Sequence, residues 1–139
     1  MMKFLAVATV TLAMLGAPAV AQDRSGGGLV KAQLDAIPGE FGVSEVVPRL
    51  AGRLATGGKH TARLDVSGGQ AIFVGVCDGG CSDLDLIVRD ASGRELGRDV
   101  EMDDIPMVVI EEAAAGRYSV EVLMEACTGQ CDWGVGVFR

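Results

Sequence analysis

The chain has 139 residues, a net charge of −7, 20 glycines, four cysteines and one histidine. An acidic balance of this size argues against nucleic acid and anionic membranes as partners, because both are held by a basic face. Aromatic residues make up only 4% of the chain, which is thin for carbohydrate platforms and leaves the core to Val, Leu and Ile.

At the N-terminus, Lys3 precedes the apolar run Phe4–Leu15, followed by Gly16, Pro18 and the small-residue site Ala19-Val20-Ala21. That order is the pattern of a secretory signal peptide over 1–21. Its apolar run is short for a membrane span, and no later segment offers the roughly 20 apolar residues a transmembrane helix needs. Cleavage after Ala21 takes Lys3 with it and leaves a mature chain of net charge −8, periplasmic or secreted. Residues 22–28 read as a flexible polar leader. Leu29, Val30, Leu34 and Ile37 fit one helical face, with Pro38-Gly39 as the expected stop. The rest of 29–56 reads as an irregular approach with one short strand.

From 57 to 139 the period becomes two. Expected strands cover His60–Val66, Gln70–Cys77, Leu84–Val88, Glu95–Val100, Met107–Glu111, Arg117–Met124 and Trp133–Arg139, with turns at Ser67-Gly68-Gly69 and Asp90-Ala91-Ser92-Gly93. Short strands punctuated by turn residues, with no βαβ alternation, indicate an all-β antiparallel sandwich carrying one short N-terminal helix. Trp133 and Phe73 are expected in its core.

The cysteines form two Cys-x-x-x-Cys pairs, Cys77/Cys81 and Cys127/Cys131. In an exported chain an even count suggests disulfides, and four cysteines allow three pairings. Local bridges, Cys77–Cys81 and Cys127–Cys131, would staple loop tips; a four-thiolate zinc site is the sharper alternative. His60 is expected as an exposed residue at a strand start. No Gly-x-Ser-x-Gly elbow and no Gly-rich phosphate loop leading into a helix is present, so the sequence does not read as an enzyme.

Carboxylates are the better candidates for chemistry. Asp83 and Asp85 are two apart on a strand and share a face. Asp78 lies in the first cysteine loop, and Asp99, Glu101, Asp103 and Asp104 form a later acidic stretch. Folded together, Asp78, Asp83, Asp85, Asp103 and Asp104 could hold a hard cation such as Ca²⁺. In the plainer alternative, Asp83 and Asp85 accept backbone hydrogen bonds or pair with Arg89, Arg94 or Arg98.

The order of several segments resembles the bacterial pre-peptidase C-terminal domain and its small single-domain exported relatives. These segments are Ala71–Cys77, Ser82-Asp83-Leu84-Asp85-Leu86, Asp90-Ala91-Ser92-Gly93, Asp103-Asp104-Ile105-Pro106, Ala115–Val122 and Trp133–Val137. The resemblance implies a jelly-roll-like sandwich that serves as an accessory module rather than a catalyst, in a family where some members bind collagen or calcium. The expected function is thus non-enzymatic binding of an envelope protein or surface polymer, with the stapled loops as presenting surface. A calcium-dependent structural module, or an accessory or inhibitor domain for an exported hydrolase, are the alternatives.

Overall fold

The computed structural model describes residues 26–139, so the expected signal peptide and residues 22–25 lie outside them. One helix, α1 (Gly26–Phe41), is followed by eight strands: β1 (Leu50–Ala55), β2 (Lys59–Val66), β3 (Gly69–Cys77), β4 (Cys81–Arg89), β5 (Glu95–Asp99), β6 (Met107–Ala113), β7 (Gly116–Cys127) and β8 (Gln130–Phe138). They form two four-stranded sheets with antiparallel pairings throughout. Sheet A has the order β1-β8-β3-β6 and sheet B the order β2-β7-β4-β5. Every neighbour within a sheet is non-consecutive except β4 and β5, as in a jelly roll. Among the described residues no helix is long and apolar enough to cross a membrane.

Period-two burial builds the main core. Leu84, Leu86 and Val88 of β4 and Val120, Val122 and Met124 of β7 point inward from sheet B, against Phe73, Trp133, Val135 and Val137 of sheet A. Trp133 and Phe73 are fully buried, as their apolar surface dictates. A second, smaller core lies on the outer face of sheet A, where Val30, Leu34 and Ile37 of α1 pack on Val74, Val76 and Phe138. The molecule therefore has three layers: helix, sheet A and sheet B.

Two expectations are corrected here. Pro38 does not end the helix: α1 begins at Gly26, inside the expected flexible leader, and runs through Pro38 to Phe41. Pro38 lacks only the N–H that would have reached the Leu34 carbonyl, and burial of Val30, Leu34 and Ile37 outweighs that loss. The real terminator is Gly42, whose φ of 65° is left-handed and whose N–H bonds the Pro38 carbonyl at 3.0 Å. The second correction concerns β1, which is an edge of sheet A, so the sandwich starts at Leu50 rather than at 57.

The helix docks because β8 makes room for it. A Cβ on Gly134 would lie 2.6 Å from Cγ1 of Val30 and 3.0 Å from Cδ1 of Leu34. The glycine in this strand is the footprint of α1. At its N-terminus α1 meets the Asp132 carboxylate, which accepts a hydrogen bond from the Gly27 N–H and is held by Arg53 at 2.9 and 3.1 Å. The Arg53 guanidinium chiefly holds the Asp132 carboxyl below its ordinary range.

Candidate functional site

Three places on this scaffold carry candidate chemistry, and the disulfides locate the first. Cys77–Cys81 and Cys127–Cys131 are both formed, leaving no free cysteine among the described residues and no thiolate for zinc. Their position differs from loop-tip staples. Cys77 (β3) and Cys131 (β8) belong to sheet A, Cys81 (β4) and Cys127 (β7) to sheet B, so each bridge ties one sheet to the other. Cys77, Cys81 and Cys131 are buried in the main core. The two corners also clasp each other: Cys81 faces Cys127 across the ladder, the Thr128 N–H bonds the Gly80 carbonyl at 2.9 Å, and the Asp78 N–H bonds the Asp132 carbonyl at 3.0 Å.

Asp78 is consumed by this clasp. Its carboxylate accepts the Gly80 N–H at 3.0 Å and the Asp132 N–H at 2.8 Å. Asp78 is thus a structural cap at the stapled end. His60 lies near the start of β2, as expected, and its ring sits 5.4 Å from that of Trp133, lidding this end of the core.

The second place is the outer face of sheet B beside the β5–β6 loop. Asp83 and Asp85 share that face, and the loop does come alongside: the Leu84 N–H bonds the Asp103 carbonyl at 2.9 Å. Asp85 is only 7% exposed, and Oδ1 of both Asp83 and Asp85 is buried without a hydrogen-bond partner. Burial, reinforced by the negative charges of Asp83, Glu125 and Asp99 and a hydrogen bond with Asp83, pushes the Asp85 carboxyl up to about 6. The arginines that could have neutralised this pair are engaged elsewhere. Arg89 pairs with Glu121, Arg94 with Asp90 and Arg98 with Glu95.

In the loop itself, Asp99, Glu101 and Asp103 bring one carboxylate oxygen each to within 4.8 Å of one another. Asp99 also accepts the Glu101 and Met107 N–H groups, and Asp103 accepts the Ile105 N–H, so the loop is braced by its own acids. The grouping differs from the expected five: Asp103 joins Asp99 and Glu101, Asp78 is at the stapled corner, and the Asp104 carbonyl lies 3.6 Å from the Cys77 sulfur. Glu125 reaches Asp85 through a register shift between β4 and β7, where Asp83 faces Ala126 but Leu84 faces Met124.

The third place has no counterpart in the sequence reading. α1 lies across β8 and β3, and between its C-terminal half and β6 runs an apolar groove of about 400 Å³. Ile37, Phe41, Val74, Ile105 and Met107 line it, with Glu40 as the only charged residue. Phe41, Ile105 and Met107 are exposed by 67%, 51% and 44%. Large apolar side chains grouped at a concave surface mark interaction sites more often than they decorate a monomer.

No protein-family model and no curated protein sequence matches this chain. Among solved structures, the chain is similar to the pre-peptidase C-terminal domain of collagenase from Bacillus anthracis, at 15% identity and a TM-score of 0.51, over 65% of this chain and 87% of that one. A periplasmic inhibitor of g-type lysozyme from Aeromonas hydrophila, PliG, aligns at 20% identity and a TM-score of 0.46, over 66% of this chain and 85% of that one. The described chain is a β-sandwich with the fold of a pre-peptidase C-terminal domain.

Proposed function

We propose that this chain is an exported, non-catalytic accessory module that binds a protein partner. The observation that carries this reading is the groove, where Phe41, Ile105 and Met107 stand exposed on a scaffold cross-tied by two disulfides. The signal-like pattern over 1–21 and the oxidised cysteines support export. All four cysteines are spent in bridges, and the one histidine, His60, covers Trp133, so both residue types have structural employment. The stapled corners are the competing face, but their tips are Gly79, Gly80, Thr128 and Gly129, which supply no large anchor.

Position-specific photo-cross-linking in the producing cell separates these faces. A cross-linker replacing Met107 is expected to give a discrete protein adduct, and one replacing Thr128 none. An adduct at Thr128 alone would move the binding face to the stapled corners, and the identity of the adduct would decide whether the partner is an exported hydrolase. Absence of any protein adduct at both positions would remove the reading.

A second reading, a calcium-dependent structural module, is favoured by the Asp99–Glu101–Asp103 group beside the uncompensated Asp83/Asp85 pair. Oxygens within 4.8 Å of one another can sit around one ion at the 2.3–2.6 Å of Ca²⁺ coordination. Ca²⁺ titration of the EDTA-treated protein is then expected to raise Tm saturably, by about 2.7 kcal/mol of stability at a hundredfold excess over Kd. Asp99→Asn/Asp103→Asn should abolish the rise. A Tm unmoved by millimolar Ca²⁺ would leave these acids as loop braces.

A further inference from the structure

We propose that the groove between α1 and β6 seats a cationic segment of a partner protein, anchored by apolar side chains and flanked by Lys or Arg. The inference rests on the protein-binding reading above and adds the chemistry of the partner. The floor is apolar, built by Ile37 and Phe41 of α1 and Val74 of β3, so it selects apolar anchors. The one charge in the lining is acidic, Glu40 on the helix wall, and Glu111 continues the exposed face of β6 that carries Met107 and Val109. The cations of α1 and its neighbouring loop lie outside this lining: Lys31 pairs with Asp35, and Arg49 with Asp35 and Glu45.

Two other occupants fit less well. The residues just ahead of α1, Gln22-Asp23-Arg24-Ser25, carry no apolar side chain to serve as an anchor. A second copy would bring a like-charged molecule, net −8 in its mature form, with its own Glu40 against this one. Charge complementarity therefore points to a basic partner.

A library of displayed random 12-residue peptides, selected on the oxidised protein, tests this. Enriched peptides should combine two or more apolar residues with flanking Lys or Arg. As synthetic peptides they should bind the Phe41→Ser/Met107→Ser variant at least tenfold more weakly and Glu40→Lys several-fold more weakly. Gln130→Ser at the stapled corner should bind them unchanged. Both anchor residues are exposed, so the double variant keeps the core, which its Tm verifies. Enrichment without cationic residues, no enrichment, or binding indifferent to the double variant would overturn the proposal. So would self-association in sedimentation velocity that the double variant abolishes, which would name a second copy as occupant. A Met107 adduct in cells together with charge-neutral selected peptides would keep the binding module and discard only the cationic partner.

Discussion

Asp85→Asn is expected to make the EDTA-treated protein more stable at pH 7.5 by about 2–3 kcal/mol, taking 1.36 kcal/mol per pKa unit. That corresponds to roughly 8–12 °C in Tm for a domain of this size. The Asp85 carboxyl is raised from 3.8 to about 6 by burial and by Asp83, Glu125 and Asp99. Between those values the folded state holds a proton that the unfolded chain releases. The contribution of Asp85 is therefore fully favourable below about pH 4 and is lost as pH rises through 6. Asparagine keeps the shape, removes the charge and can donate to the Asp83 carboxylate, so the advantage of the variant should vanish near pH 4.

Carboxylates with lowered values, Asp90 and Asp132 among them, act in the opposite sense and in a lower window. Their stabilisation is lost as pH falls below about 4. Chemical denaturation at pH 4, 5, 6 and 7.5 would show it. Parallel curves for wild type and variant across that range would mean that Asp85 is not held against its charge.

Gly134→Val should release the helix while sparing the sandwich. The new side chain would collide with Val30 and Leu34, and overpacking of this kind costs about 1–3 kcal/mol. The two cores are separate: α1 belongs only to the outer one, with Val74, Val76 and Phe138. Amide exchange over 26–41 should rise at least tenfold, with β4 and β7 still protected, and an apolar dye should bind the uncovered face of β3 and β8. Adding Val30→Ala to the valine variant should restore part of the protection by enlarging the space. An α1 that stays protected in the single variant would mean that the helix shifts along β8 instead of relying on that glycine.

The strands were legible because one buried face imposes strict alternation. His60–Val66, Leu84–Val88 and Arg117–Met124 each fall within the strand that forms. The same alternation in Trp133-Gly134-Val135-Gly136-Val137 hid a second message, since a strand buried on both faces by a helix needs small residues where the helix presses. A proline normally ends a helix, so the extent of α1 was misread; one missing hydrogen bond near its C-terminus is outweighed by apolar contacts that lie far away in sequence.

The shared face of Asp83 and Asp85 followed from spacing alone, but their partners did not. Arg89, Arg94 and Arg98 are close in sequence yet find Glu121, Asp90 and Glu95. Glu125 enters the cluster only through a slip in strand register. The groove was invisible because α1, β3, β6, β8 and the residue Ile105 each contribute a piece that looks ordinary by itself.

The cross-ties between the sheets also bear on how this chain is oxidised. Each bridge spans a sequence separation of only four, although its sulfurs end in different sheets. In an unfolded chain, contact probability falls as roughly the 3/2 power of loop length, and the wrong pairings lie about 50 residues apart. The correct pairs therefore meet roughly 40-fold more often before any sheet exists. Such a chain needs an oxidant but little shuffling, and its corners can be set while the rest of the sandwich is still assembling.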